Sequence, residues 1–325
     1  MKHSRMLKAA FAVILLTGCL IAGAAGMGSM KVQEAYEIAV IAKSTESAFW
    51  KTVFAGANAA GTEYNVKLTV QGPDTEEDYE AQNDMIRQAV ESGADAIVFS
   101  AVDFNANASA VDEAVQNGVE VVVIDSDVNS DAVSCRISTD NYAAGRMAGE
   151  AALSCAEETL YVGIVNFDEK TANGQQRELG FREVVEQDPR VKFIETINVL
   201  STTEDARRGM IQLLEEHPEI NVVATFNEWT SLGVGWAIRD LDLKEQTTVV
   251  AFDSNVVSVG MLETGEVDAL IVQNPYAMGY LGIETAYQLL SGKKPGNARV
   301  DTETTLVTRE NMFSEDCQKI LFTFD

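Results

Sequence analysis

Histidine is almost missing from this chain. Only His3 and His217 occur, and His217 falls in a helix-ending Glu-Glu-His-Pro run, so there is nothing from which to build a His-dependent triad or a His-based metal site. Cysteine is scarce too. After Cys19 only Cys135, Cys155 and Cys317 remain. An odd number cannot all pair internally, and without a Cys-x-x-Cys a zinc site is not expected. Cys135 and Cys155 could form a disulfide outside a cell; the role expected of these cysteines is that of small buried packing residues. Basic residues are outnumbered, 24 Lys and Arg against 50 Asp and Glu. That balance excludes a nucleic-acid partner, which needs clustered Lys and Arg. It also disfavours adsorption to anionic lipid heads and points to solubility through net charge. Beyond the N-terminal stretch no segment is apolar enough for a transmembrane helix. No Gly-rich phosphate loop follows the first strand, which argues against a nucleotide, and no cofactor is expected.

What is present begins with Lys2, Arg5 and Lys8, a positive region followed by an apolar stretch from Ala9 to Leu16. That stretch is too short to span a bilayer, and small residues come next, as in a secretory signal. Leu16-Thr17-Gly18-Cys19 resembles a bacterial lipobox, in which the cysteine becomes the lipidated N-terminus. The expectation is a signal over residues 1–18 and a tether over 19–35. The remaining chain is long enough for two ordinary domains, and 46% apolar residues suit a globular core.

From Glu37 onward short β-rich runs alternate with amphipathic stretches. The strands read as Ile38–Ala42, Leu68–Gln71, Ala96–Ser100, Val119–Ile124, Leu160–Val165, Lys192–Thr196, Val222–Phe226, Thr248–Phe252 and Ala269–Val272. Helices include Phe49–Tyr64, Glu76–Glu91, Asn105–Asn117, Gln175–Gln187, Glu204–Glu216 and Tyr276–Leu290, with Met210 and Leu214 as core positions. Nearly continuous Val, Ile, Ala and Phe marks strands buried on both faces. The alternation means βαβ units with parallel sheets. Nine units exceed one comfortable sheet, and a break falls at Ser138-Thr139-Asp140-Asn141. The fold class is therefore α/β, with two doubly wound parallel-sheet lobes.

In open α/β sheets ligands bind beyond the carboxyl ends of the strands. The residues found there are Lys43, Ser47, Phe49 and Trp50; Asp125, Ser126 and Asp127; Asn227, Glu228 and Trp229; Asp253; and Gln273 and Asn274. Carboxylates accept hydroxyl protons in charge-assisted bonds. Amides donate and accept at once, and aromatic faces cover the C–H faces of a ring. The mixture suits a polyhydroxylated ligand. Asp125 or Asp253 singly could instead cap the helix that follows, and one of Phe49 and Trp50 could be core.

At these residues the chain resembles the periplasmic sugar-binding family of the ribose-binding type, from Ile38 to Val307. The likeness is carried by Phe49-Trp50, Ile124-Asp125, Thr139-Asp140-Asn141, the run Gln176-Arg177-Glu178-Leu179-Gly180-Phe181, Ala224-Thr225-Phe226-Asn227-Glu228, Val250-Ala251-Phe252-Asp253 and Gln273. The resemblance implies hydroxyl-binding roles for Asp125, Asn227, Asp253 and Gln273 and ring-stacking roles for Phe49 and Trp50. It places Gln175 and Ser126 where ribose binders carry arginines, and Ser47 where they carry an asparagine. The first lobe, with Lys43, Gly72-Pro73, Ser100-Ala101-Val102 and Asp125-Ser126-Asp127, is more similar to the autoinducer-2 and rhamnose binders of the same superfamily. There the lysine and the first aspartate touch ligand.

The resemblance implies a type I periplasmic binding protein whose lobes are joined by a three-strand hinge. The expected lobes are residues 36–138 plus 275–302 and residues 139–274 plus 303–325, with crossings near Ser138–Asp140, Gln273–Pro275 and Thr302–Thr304. It implies a monomeric solute-binding lipoprotein that captures a small sugar, polyol or related compound for an ABC permease and, through it, an ATPase. Its expected place is outside the cytoplasm, on the outer face of the cytoplasmic membrane or in the periplasm, with Cys19 as the only membrane attachment. The alternative is a sensory receptor presenting the same ligand class to a chemoreceptor or sensor kinase. A transcription repressor would need a basic helix-turn-helix headpiece, and a signal and tether stand there instead. A carboxylate-pair glycosidase is set aside because Asp125 and Asp253 are expected to bind hydroxyls and stay ionised.

Overall fold

The computed structural model describes residues 35–167, 169–294 and 296–321; the signal, Cys19 and most of the tether read from the sequence lie outside these residues. Strands β1 (Glu37–Ile41), β2 (Lys67–Gln71), β3 (Ala96–Phe99), β4 (Glu120–Ile124) and β5 (Cys135–Thr139) join β11 (Arg299–Thr302) in a six-stranded sheet of order β11-β5-β4-β3-β1-β2. Every pairing in it is parallel. Strands β6 (Leu160–Asn166), β7 (Val191–Asn198), β8 (Val222–Thr225), β9 (Thr248–Phe252), β10 (Ala269–Val272) and β12 (Thr305–Thr308) form a second sheet of order β12-β10-β9-β8-β6-β7. Its β10–β12 pair is antiparallel and the rest are parallel. Leaving aside the edge strands β11 and β12, both orders are the same doubly wound pattern. Each sheet therefore has a switch point, at β1/β3 and at β6/β8, where the crevice for a ligand opens at the strand ends.

Helices cover both faces of each sheet, which is why the central strands are buried runs such as Val121-Val122-Val123-Ile124. On the first sheet, α1 (Ala48–Glu63) and α9 (Pro275–Leu290) pack on one face, α2 (Tyr79–Glu91) and α3 (Ala108–Gln116) on the other. On the second, α4 (Asn141–Leu153) and α5 (Ala172–Val185) oppose α6 (Thr203–Glu216), α7 (Glu228–Asp240), α8 (Val256–Thr264) and α10 (Glu315–Leu321). Met210 and Leu214 are in that second core. The chain changes sheets after β5, after β10 and between β11 and β12, so α4 and α9 each pack on the sheet opposite to the strand that precedes them.

Glycine permits these two helix pairs to meet backbone to backbone. A Cβ on Gly145 of α4 would lie far inside van der Waals contact of the Arg177 carbonyl oxygen on α5, and one on Gly56 of α1 would do the same to the Tyr276 carbonyl on α9. Strand β5 and the two hinge-side strands β11 and β12 were not among the strands read from the sequence. Their burial alternates or is partial, so they lack the continuous apolar run of the central strands. Helix α2 begins at Tyr79 and not at Glu76, because Asp78 is its cap, accepting the Ala81 N–H at 2.8 Å. Cys135, Cys155 and Cys317 are unpaired; the first and last are buried.

Candidate functional site

Each lobe's central strand ends in an aspartate with left-handed backbone. Asp125 follows β4 with φ +55° and Asp253 follows β9 with φ +68°. The two are equivalent: the Asp125 N–H donates to Ile137 O at 3.1 Å and the Asp253 N–H to Ile271 O at 3.0 Å, each on the next strand of its own sheet. Aspartate tolerates this conformation better than most residues. Strained backbone held twice at corresponding strand ends points to function.

In the first lobe, Ser47 caps α1 by accepting the Trp50 N–H at 3.2 Å. That cap fixes the first turn, where Phe49 and Trp50 stand edge to face with centroids 5.2 Å apart. The Trp50 indole donates to Glu76 Oε1 at 3.1 Å, and Lys43 Nζ lies 3.4 Å from Glu76 Oε2 and 4.9 Å from the centroid of the Phe167 ring. Ser100 donates to Asp125 Oδ2 at 3.0 Å, and Asn173, from α5 of the second lobe, donates to Asp125 Oδ1 at 3.1 Å.

In the second lobe, Asn227 caps α7 through a reciprocal pair with Thr230 and donates to Ser201 Oγ at 2.7 Å. Gln273 donates to Asp253 Oδ1 at 2.6 Å while its own carbonyl accepts from Arg177 at 2.6 Å and from Thr139 at 2.9 Å. Arg177 is 1% exposed. It is held by Asn141 Oδ1 at 2.8 Å and Phe226 O at 2.6 Å, and its guanidinium lies 4.8 Å from the centroid of the Phe252 ring. Burial lowers the Arg177 pKa, an effect opposed by the charges of Asp253, Asp125 and Glu76. Burial pushes Asp253 from 3.8 up to about 7, against the pull of Arg177 and the Gln273 bond. Burial thus works against the ionised form expected for Asp253, while Arg177 and the Gln273 bond favour it.

These side chains close on a cavity of about 30 Å³ between the sheets. Of the residues read from the sequence, Lys43, Ser47, Phe49, Trp50, Asp125, Asn227, Asp253 and Gln273 line it together. Two do not. Ser126 is buried, donating its N–H to Ser100 Oγ at 3.2 Å, and is not among the lining residues. Gln175 is exposed on α5. Positions 173 and 177, one helical turn apart, face the cavity, and position 175 points away. Arg177, Asn173, Glu76 and Phe167 line the cavity and were not singled out as binding residues. The α5 pair had a signal, since an i, i+4 spacing of Asn and Arg follows β6. A larger cavity of about 240 Å³ adjoins this one and shares Phe49, Asp253 and Gln273. It lacks Asp125, so only the smaller one brings both strand-end carboxylates together. Among the described residues no three His, Cys, Asp or Glu side chains converge as a metal centre requires.

The arrangement offers carboxylate acceptors, amides that do both, a fixed guanidinium and aromatic faces, in a buried space that ionic groups crowd from both lobes. A model of the periplasmic binding protein domain matches residues 38–294. The chain is 28% identical over 311 residues to the D-ribose/D-allose-binding protein of Pseudomonas aeruginosa, covering 91% of this chain and 96% of that one. Among solved structures, a carbohydrate transporter solute-binding protein from Agrobacterium radiobacter in complex with D-arabinose superposes with TM-score 0.86 at 32% identity, covering 89% of this chain and 99% of the other. A solute-binding protein of an ABC transporter from Agrobacterium vitis with bound D-fucose gives TM-score 0.83 at 28% identity over 88% and 99% of the two chains.

Proposed function

The chain belongs to the periplasmic binding protein family, and from that premise we propose that its cleft captures a small neutral monosaccharide or polyol and hands it to an ABC importer. Its relatives are binding proteins for sugar transport, not enzymes, and this chain is a sugar-binding protein of the same kind. The observation that carries the ligand class is the facing pair Asp125 and Asp253, one from each lobe, with amide and guanidinium donors and the Phe49–Trp50 pair around one cavity. Such acceptors and donors alternate as a polyol's hydroxyls do. Glu76, Asp125, Glu228 and Asp253 outnumber Lys43 and Arg177 there, which disfavours a phosphorylated or carboxylated sugar. Names borne by relatives, ribose, allose and arabinose among them, support a pentose or hexose of that size.

In this reading Asp125, Asn227, Asp253, Gln273, Lys43 and Arg177 bind hydroxyls, and Phe49 and Trp50 cover the ring. The lobes, residues 36–138 with 275–302 and residues 139–274 with 303–325, close about the three chain crossings. Differential binding to the closed form is what makes such a switch respond to ligand. Cys19 carries the lipid that keeps a monomeric receptor beside its permease.

A thermal-shift panel tests the ligand class. A ligand at about 100 times its dissociation constant adds about 2.7 kcal/mol of stability. D-ribose, D-arabinose, other neutral sugars and polyols are expected to contain at least one such ligand. A shift with amino acids or nucleotides, and none across the sugars, would reject it. The anchor is tested separately: Cys19→Ala should lose metabolically incorporated fatty acid, and undiminished label would remove the lipid from the account.

A further inference from the structure

The two lobes grip each other through carboxylates that close on backbone amides. Glu228 opens α7 in the second lobe and is 6% exposed. Its Oε1 accepts the Ala48 N–H at 3.2 Å and the Asn255 side-chain amide at 2.8 Å, and its Oε2 accepts the Phe49 N–H at 2.9 Å. Ala48 and Phe49 are the first residues of α1 in the opposite lobe. The opening N–H groups of a helix have no partner inside it, and a carboxylate there meets the positive end of the helix dipole. The same device runs in the other direction. Glu77, in the first lobe before α2, accepts the Ser201 N–H of the second lobe at 2.8 Å, and its neighbour Glu76 accepts the Ser201 hydroxyl at 2.9 Å.

We propose that Glu228 and Glu77 form a reciprocal latch, each lobe holding the other's backbone, that sets how much of the protein stands closed before any ligand arrives. Both oxygens of Glu228 are committed to protein donors, so it acts by positioning the lobes and with them Phe49 and Trp50. The apparent affinity for a ligand scales with the fraction of protein already in the binding-competent form, so the latch tunes affinity through the closing equilibrium. This rests on the reading of two lobes that close on a solute, but its test needs no solute.

The test is hydrogen–deuterium exchange on the full chain without added ligand, followed in peptides that contain Ala48–Phe49 and Ser201. Glu228→Gln keeps the shape of the side chain and removes the charge. It is expected to speed exchange roughly tenfold or more at Ala48 and Phe49, the size of a lost bond to a charged group. It should also speed exchange at Ser201, whose acceptor Glu77 is intact. Glu77→Ala is the converse arm, and being on a half-buried loop residue it stands even where Glu228→Gln disturbs folding. It should speed exchange at Ala48 and Phe49 although Glu228 is untouched. Coupling in both directions is the signature of the latch. If each variant loosens only its own partner amide, or neither loosens any, the contacts are local caps and the latch is refuted. A failed sugar panel alongside coupled exchange would leave the latch standing and reject only the ligand class.

Discussion

Replacing Asp253 by asparagine should stabilise the ligand-free protein at high pH and weaken its grip on sugar. Asp253 is 6% exposed, and burial moves its pKa from 3.8 to about 7. A group whose folded pKa is raised binds more protons folded than unfolded throughout the window between those two values. Its stabilising contribution is therefore complete below about pH 4 and lost as pH rises through about 7. At 1.36 kcal/mol per pH unit, the loss across that window is about 4 kcal/mol. The asparagine of the variant cannot ionise and behaves at every pH as the protonated aspartic acid does, with its side-chain oxygen still able to accept the 2.6 Å bond from Gln273. Urea unfolding of Asp253→Asn and the parent should thus agree near pH 4 and diverge steadily, the variant being more stable by up to about 4 kcal/mol near pH 8. Calorimetric titration with the sugar found in the panel should show the opposite ranking near pH 8. The loss of a charge-assisted bond, about 1.5–3 kcal/mol, weakens binding about 10- to 100-fold. A stability gap that does not change with pH, or a parent more stable than the variant near pH 8, would mean that Asp253 is ionised and fully compensated by Arg177, and the reasoning would fail.

Three further outcomes are expected. Asp125→Ala should weaken sugar binding about 10- to 100-fold in calorimetric titration, because its carboxylate lines the cavity from the first lobe; full affinity would move the site elsewhere. Lys43→Met should cost about tenfold in the same titration if the ammonium reaches the ligand, whereas parental affinity would confine Lys43 to its ion pair with Glu76. Gly145→Ala should lower stability by about 1–3 kcal/mol, since the new methyl group would press on the Arg177 carbonyl; an unchanged melting temperature would show that α4 and α5 can slide apart freely.

How far the site could be read in advance depended on where each residue stands relative to a strand end. Asp125, Asp253 and Gln273 come directly after β4, β9 and β10, and a run of buried apolar residues marks those ends without reference to anything distant. The α/β rule then assigns them to the cleft. Arg177 comes a full helical turn and more inside α5, so its direction depends on helix phase, and a displacement of two residues turns a side chain to the far face. Gln175 is the binding position on α5 that the sequence suggests, whereas Asn173 and Arg177, each two residues away, line the cavity. Strands β5, β11 and β12 were missed for the complementary reason. Cys135–Thr139 alternates buried and half-buried residues because one sheet edge lies nearby, and nothing in five such residues outweighs the turn signals around them.

Glu76, Glu77 and Glu228 belong to a third kind of residue, whose meaning arises only when two lobes meet. Within its own lobe each is an acidic residue next to a helix start, and Asp or Glu is common there for reasons of capping and dipole alone. Yet Glu76, which holds Trp50 and Lys43 of its own lobe, also reaches Ser201 of the other, and Glu228 joins Asn255 of its own lobe to α1 of the other. The partners lie 124 to 180 residues away across the cleft in the Glu77–Ser201 and Glu228–Ala48 contacts. No local period encodes a contact of that span. Residues of this kind can change with little effect on either lobe's fold while altering how readily the lobes close. Affinity can then be tuned at Glu77 or Glu228 without touching Asp125 or Asp253, which separates the choice of ligand from the strength with which it is held.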